Sequence, residues 1–369
     1  MSAVPFSAVD QAMMARALAL AERGLYTTKP NPMVGCVIAQ GERVVGEGFH
    51  VRAGESHAEA YALRAAAEDA RGATAYVTLE PCAHQGRTPP CADALVAAGI
   101  TRVVAALRDP YQAVDGRGFA KLEAAGIEVA QGLLADQARE LNRGFLSRLE
   151  RGRPWVRVKL AMSLDGRTAL ASGQSKWITS EAARADVQLW RARSGALLTG
   201  IGTIEFDDPQ LSARVPEPVD FVPPLRVVLD SRGRLEAGAR VLEGAAGTLA
   251  MHAVDIVPSY GDGIDAIAVP RRAGMLDLRA VLAQLALREV NELQVEAGAT
   301  LCGALLEEGL IDELLLYVAP VLLGERGRPL FGGLHVADMA DRVGFRLIES
   351  ERIGPDLRLL LRPDEATQD

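Results

Sequence analysis

The order in which helix-like and strand-like periodicities follow one another constrains this chain more than any other feature. Residues 9–23 place Met13, Met14, Ala17, Leu18 and Ala21 at helical spacing. The segments "MVGCVIAQ" (33–40) and "RVVGEGF" (43–49) read as strands joined through Gly41. A helix is expected at about 56–71, a strand at 73–80, a helix at 91–98 and a strand at 102–107. A helix near 117–125, a short strand at 127–130 and a helix at about 134–149 complete this half. Such alternation requires a sheet with helices on both faces.

With 369 residues the chain is too long for one ordinary core, so two domains are expected. "LERGRPW" (149–155) concentrates charge, Gly and Pro and is the expected join, giving domains 1–149 and 150–369. The second half is again mixed α/β. Strands are expected at 155–163, 196–199, 225–229, 293–296, 314–319 and 343–348, and helices at 180–194, 276–288 and 299–308.

Composition narrows the function classes. The residues are 49% hydrophobic and 24% charged, as in a soluble globular protein. The net charge of -8, without a basic run, argues against a nucleic-acid partner. Four cysteines in so long a chain do not form a disulfide scaffold, which points to a reducing compartment, the cytoplasm. The N-terminus lacks a basic stretch before an apolar run; Ser7 with Asp10 instead resembles a helix N-cap. The run 314–324 is too short to span a bilayer, contains Pro320 and is flanked by Glu313 and Glu325, so it reads as a core strand with its turn and no membrane is expected.

Taken singly, the residues around 57–91 have plain explanations. Ser56 and Glu59 fit a capping box, a lone His57 packs or hydrogen-bonds, and cysteines are commonly buried and inert. Together they suggest more. A catalytic zinc takes three protein ligands and leaves one position open. His57, Cys82 and Cys91 supply three, one zinc per chain, and the order H-x-E then P-C…C is that of zinc deaminases, in which the Glu, here Glu59, moves protons. Residues two apart on a helix point to nearly opposite sides, so His57 and Glu59 can share a site only at a helix end. Eight residues, "AHQGRTPP", separate the cysteines where the general signature has two.

The second half shows no dinucleotide fingerprint: "GIGTIE" (200–205) has Glu205 where a third Gly belongs. Polar residues instead gather at expected strand ends, in "KLAMSLDGRTA" (159–169), "SKWITS" (175–180), "TGIGTIEFDDPQLSAR" (199–214), "LDSRGRL" (229–235) and "EAGATLCGALL" (296–306). Plain readings exist here too: a turn at 163–166, a helix cap at Thr179 or Ser180, and a tight connection at Gly200 and Gly202. Arg191, Arg193 and Arg214 would suit a phosphate if they bordered a cleft.

The segments "TKPNPMVGCVI" (28–38), "HVRAGESHAEAYAL" (50–63) and "VTLEPCAHQGRTPPCADAL" (77–95) resemble the deaminase half of the bifunctional riboflavin-biosynthesis deaminase/reductase family, where the long spacing with "GRTPPC" is typical. The five segments of the second half resemble its reductase half, and the resemblance covers roughly 8–365. It implies an N-terminal cytidine-deaminase-like α/β/α sandwich with Zn²⁺ and a C-terminal dihydrofolate-reductase-like α/β domain using NADPH. It implies that Asn31 and His50 hold the pyrimidine, with His84 and Arg87 at the substrate or its phosphate. Ala161, Trp177, Thr203, Asp207, Ser231 and the turn Gly298, Ala299, Thr300, Leu301, Cys302, Gly303 and Ala304 would line the cofactor. Ser175, Arg191, Leu211, Arg214 and Glu296 would hold the substrate, and Lys159 and Asp207 are candidates for the reductase proton donor. Phosphorylated pyrimidines are the expected partners, and a homo-oligomer is expected. The alternatives are a nucleoside or tRNA deaminase carrying an unrelated C-terminal domain, or a non-catalytic deaminase-like scaffold.

Overall fold

The computed structural model describes residues 6–83, 89–215, 219–261 and 264–364. The chain divides into two compact units, Met1–Gly152 and Arg153–Asp369. Among the described residues no helix is long and apolar enough to cross a membrane.

The first unit runs α1 (Ala8–Glu22), β1 (Gly35–Gln40), β2 (Arg43–Phe49), α2 (Ala58–Ala66), β3 (Thr74–Val77), α3 (Cys91–Ala97), β4 (Arg102–Ala105), α4 (Arg117–Ala124), β5 (Glu128–Gln131), α5 (Ala135–Leu141) and α6 (Arg143–Arg151). Its strands form a sheet in the order β2-β1-β3-β4-β5. β1 is antiparallel to both neighbours, and β3, β4 and β5 are mutually parallel. Strand alternation sorts the core. Cys36, Ile38, Ala75, Val77, Val103 and Ala105 pack with residues of α2, α3 and α4 on one face. Val37, Ala39, Tyr76 and Val104 pack with α1, α5 and α6 on the other. The expected sheet with helices on both faces is therefore present. α1 starts with a full capping box between Ser7 and Asp10. α2 lies so close on β2 that a Cβ at Gly46 would stand 2.2 Å from the carbonyl oxygen of Ala62.

The second unit runs β6 (Trp155–Ser163), α7 (Glu181–Arg193), β7 (Ala196–Gly200), α8 (Ile201–Asp207), β8 (Leu225–Leu229), β9 (Thr248–Ala253), β10 (Asp265–Val269), β11 (Arg271–Arg272), β12 (Met275–Leu276), α9 (Leu278–Leu287), β13 (Glu292–Val295), α10 (Ala299–Glu307), β14 (Glu313–Ala319), β15 (Phe345–Ile353) and β16 (Asp356–Pro363). Its large sheet has the order β10-β9-β8-β7-β13-β6-β14-β16-β15. Every pair from β10 to β14 is parallel, and β16 and β15 add an antiparallel edge. In β6 the alternation separates two chemistries. Val156, Val158 and Leu160 join the apolar core with α9 and α10. On the opposite face Arg157 is fully buried, 2.7 Å from Glu313 and 2.8 Å from Glu292. Its guanidinium lies 4.7 Å from the ring centre of Trp190 on α7.

Several expectations need correction. The helix expected at 134–149 is two, because the Asn142 backbone leaves helical geometry and its amide bonds the backbone N–H and C=O of Met33. α2 begins after His57, not at Ser56, and its N-cap has no side-chain hydrogen bond, so the capping-box reading fails. No expected strand or helix corresponds to α8, β9, β10, β11, β12 or β16. α8 is one short segment opening at a glycine, β10 is mostly exposed, and β16 mixes charge into its apolar alternation.

Candidate active sites

In the first unit, His57 occupies the N-cap of α2 in an extended conformation (φ -73°, ψ 165°). An extended residue does not follow the helical rotation, so its ring and the Glu59 side chain reach the same place. Cys82 arrives from the segment beyond β3, and Cys91 opens α3. The three candidate ligand atoms lie within 4.8 Å of one another. Nδ1 of His57 is 3.2 Å from Sγ of Cys91 and 3.6 Å from Sγ of Cys82. Tetrahedral zinc with ordinary Zn–N and Zn–S bonds separates N from S by about 3.6 Å. The donor set and its spacing therefore fit zinc.

The electrostatics suit a cation. The Cys82 thiol is pulled well down, first by the hydrogen bond from Cys91 and then by His57 and the Cys91 N–H. Cys91, the proton-holding partner of that pair, is pushed far up. His57 is raised, chiefly by Cys82. Glu59 is buried beside the Cys91 thiol, and burial raises its carboxyl. Next to this cluster, Nδ1 of His50 is 3.0 Å from the Ser56 carbonyl, which takes its proton. Nε2 of His50 then accepts from the Asn31 amide at 3.0 Å. Burial lowers the His50 pKa, in keeping with this neutral tautomer. Its ring centre is 5.6 Å from that of His57. His57, Glu59, Cys82, Cys91, Asn31 and His50 are thus gathered; His84 and Arg87 lie outside the described residues.

In the second unit Glu296 directly follows β13, Lys159 lies within β6 and Arg191 lies on α7. Val295 pairs with Val158, so Glu296 follows beside Lys159. Glu296 accepts from Arg191 through both oxygens, at 2.7 and 2.8 Å, and from Gln294 at 2.9 Å. These partners and Lys159 bring its carboxyl down to about 2 although burial opposes this. The Lys159 ammonium is 5.9 Å from the ring centre of Tyr317. Burial lowers its pKa, with Glu296 and Arg191 as its charged neighbours. Arg191 also donates to the Ser212 carbonyl at 2.9 Å. Leu211 beside it is buried with a left-handed φ of 50°, a strained setting for a side-chain-bearing residue. Arg214 is exposed near Arg191 and Arg240, which together with partial burial lower its pKa.

Other expected residues fall elsewhere. Asp207 pairs with Lys176 at 3.3 Å, the residue after Ser175, and is not among the charges acting on Lys159. Arg193 is tied to Glu292 at 3.1 Å. Trp177 is exposed with Arg184 stacked 4.5 Å over its ring. Ala161 lies on β6, Thr203 on α8, and Ser231 follows β8 with its carbonyl bonded by Arg271 at 3.0 Å. The expected turn 298–304 is the start of α10, with Gly298 as N-cap and open space where its Cβ would be. Ala299, Thr300 and Leu301 form the first turn. Cys302 is buried, and a Cβ at Gly303 would stand 1.9 Å from the Gly332 carbonyl oxygen, so these two face the interior and Ala304 follows them. A helix N-terminus with an open glycine suits the phosphates of a dinucleotide. Sequence reasoning missed Tyr317 and Gln294. The signal for Gln294 is present: Glu292 and Gln294 in buried β13, with Glu296 just beyond it, put a polar side chain at every second position.

Both units match known proteins. Residues 7–107 match the cytidine and deoxycytidylate deaminase zinc-binding region, and residues 154–359 match the RibD C-terminal domain. The riboflavin biosynthesis protein RibD of Escherichia coli is 48% identical over 95% of this chain and 99% of its own length. That of Haemophilus influenzae is 46% identical over 97% and 98%. Acinetobacter baumannii RibD superposes with a TM-score of 0.90 at 48% identity, covering 97% of this chain and 99% of that one. The Thermotoga maritima diaminohydroxyphosphoribosylaminopyrimidine deaminase/5-amino-6-(5-phosphoribosylamino)uracil reductase superposes at 0.86 with 33% identity, covering 96% and 99%. The chain belongs to the RibD family of bifunctional riboflavin-biosynthesis enzymes, whose deaminase half binds zinc and whose reductase half uses NADPH.

Proposed function

We propose that the cluster of His57, Glu59, Cys82 and Cys91 deaminates 2,5-diamino-6-(5-phosphoribosylamino)pyrimidin-4-one to 5-amino-6-(5-phosphoribosylamino)uracil, and that the cluster of Lys159, Arg191 and Glu296 serves reduction of the ribosyl group to a ribityl chain. The observation that carries this reading is the convergence of three ligand atoms within 4.8 Å beside the buried carboxyl of Glu59. His57, Cys82 and Cys91 would hold a zinc ion, which would supply Lewis-acid activation of water when bound. Glu59 moves the two protons of a water molecule in turn, the first to the ring nitrogen and the second to the departing amine, which leaves as ammonia. Asn31, oriented by neutral His50, holds the pyrimidine edge.

In the second unit Ala161, Trp177, Thr203, Ser231 and the N-terminus of α10 would hold NADPH, which would supply a hydride for the ribosyl C1 in its open-chain form. Lys159 gives the accompanying proton, a role that suits an ammonium whose pKa burial lowers. Glu296 and Arg191 hold each other rigid and border the substrate. Arg214 meets its phosphate, supported by the excess of positive charge around it.

The reading extends to a cytoplasmic homo-oligomer that acts on small phosphorylated pyrimidines without nucleic-acid or membrane partners. The net charge of -8 supports the exclusion of polyanions. A coupled assay with the diaminopyrimidine phosphate, Zn²⁺ and NADPH tests the function by following ammonia release and loss of reduced cofactor together. Turnover of cytidine, deoxycytidylate or tRNA with none of the diaminopyrimidine would defeat it. Light scattering on the eluted protein tests the oligomer, and a monomer mass would refute it.

A further inference from the structure

We infer that Glu80 is a positioning residue that sets Cys82 in place for the metal; this rests on reading His57, Cys82 and Cys91 as zinc ligands. β3 ends at Val77, and Thr78 makes the last links to β1, its N–H donating to the Gly35 carbonyl at 3.1 Å and its hydroxyl accepting from the Gly35 N–H at 3.1 Å. Pro81 has no N–H to offer, so the path from the sheet to Cys82 needs another anchor.

Glu80 supplies it. The residue is buried, at 4% exposure, and its carboxylate faces four backbone N–H groups. One oxygen accepts from Asp109 at 3.2 Å and Gly116 at 3.0 Å. The other accepts from Gly118 at 2.9 Å and Phe119 at 3.4 Å. Gly118 and Phe119 lie in the first turn of α4, and its N-cap, Gly116, has no side chain to cap them. Glu80 is therefore a cap delivered from a distant segment, and the helix N-terminus favours its negative charge.

The contact continues one residue further. A Cβ at Gly118 would stand 2.0 Å from the Pro81 carbonyl oxygen, so α4 presses directly on the residue that precedes the ligand. From the other side, the Ala92 N–H donates to the Cys82 carbonyl at 3.1 Å and the Cys91 N–H to Sγ of Cys82 at 3.3 Å. Cys82 is held by the first turn of α3, and the two residues before it by the first turn of α4. Glu80 controls the second of these contacts.

A residue that only capped α4 would change stability and leave metal affinity alone. A residue that orients a ligand typically changes metal affinity or activity by about 10–100-fold. The test uses the full chain as wild type, Glu80→Gln and Gly118→Ala. Zinc affinity is measured by competition with a chromogenic chelator, alongside deaminase kcat and KM and reductase kcat on supplied uracil substrate. Zinc affinity is expected to fall about 10–100-fold in both variants, with lower deaminase kcat and unchanged reductase kcat. Wild-type zinc affinity in a Glu80→Gln chain with normal reductase activity overturns the inference. If Glu80→Gln does not fold, Gly118→Ala, which crowds the same turn but keeps the carboxylate, decides in its place. A wild-type chain that retains no zinc overturns the ligand assignment itself.

Discussion

Backbone conformation at one residue decides how the candidate metal site is built. Because His57 is the N-cap and not a helical residue, it can share a site with Glu59 two positions later. The same extended conformation removes the alternative in which Glu59 caps the helix. Glu59 is buried beside Cys91 instead. Replacing Glu59 by Ala is expected to lower deamination by about a hundred- to ten-thousand-fold, the ordinary worth of a positioned acid–base group. Zinc content by elemental analysis and reduction of supplied uracil substrate should be unchanged. Equal loss of the two activities would contradict separate sites.

At the scale of elements, α7 carries Arg191 to Glu296, and its placement depends on its two ends. At its start, Ser180 caps Ala183 at 3.3 Å and donates to the buried carboxylate of Asp356 at 2.6 Å. At its end, Trp190 lies against the guanidinium groups of Arg157, Arg193 and Arg358. Ser180→Ala is expected to destabilise the chain by about 1–2 kcal/mol, as for other lost N-caps. Urea unfolding followed by circular dichroism measures this, and an unshifted midpoint would remove the cap from the account.

For the whole molecule, pH dependence in the acid range is set partly by Asp10. It is buried, yet hydrogen bonds from Arg102, Ser7 and Tyr76 outweigh burial and hold its carboxyl well below 3.8. A carboxyl depressed on folding contributes stability that is complete above its unfolded value and is lost as the pH falls below about 4. Asp10→Asn is therefore expected to unfold more readily at neutral pH and to lose less on acidification. The two stability curves should converge towards pH 2. Parallel curves in urea titrations across that range would show that Asp10 does not contribute in this way.

The candidate metal cluster of His57, Cys82 and Cys91 was legible in the sequence because its chemistry is carried by short segments. H-x-E and P-C are local patterns, and the strand–helix alternation between them brings helix starts to one sheet edge. The core faces were legible for the same reason: alternation in β1, β3 and β4 assigns each residue to a side. What sequence could not show was long-range register. Arg191 and Glu296 stand 105 residues apart, and they meet only because β13 lies between β7 and β6. A one-residue slip of β13 would turn Glu296 to the opposite face. The partners of Glu80 were hidden likewise, since backbone N–H groups carry no residue signature and its four donors come from a loop and helix some thirty to forty positions on. The sequence by itself determined which side chains make up the candidate metal cluster and which residues alternate into the core. The tertiary structure alone decided which strands become neighbours, and so which distant charges meet at the second site.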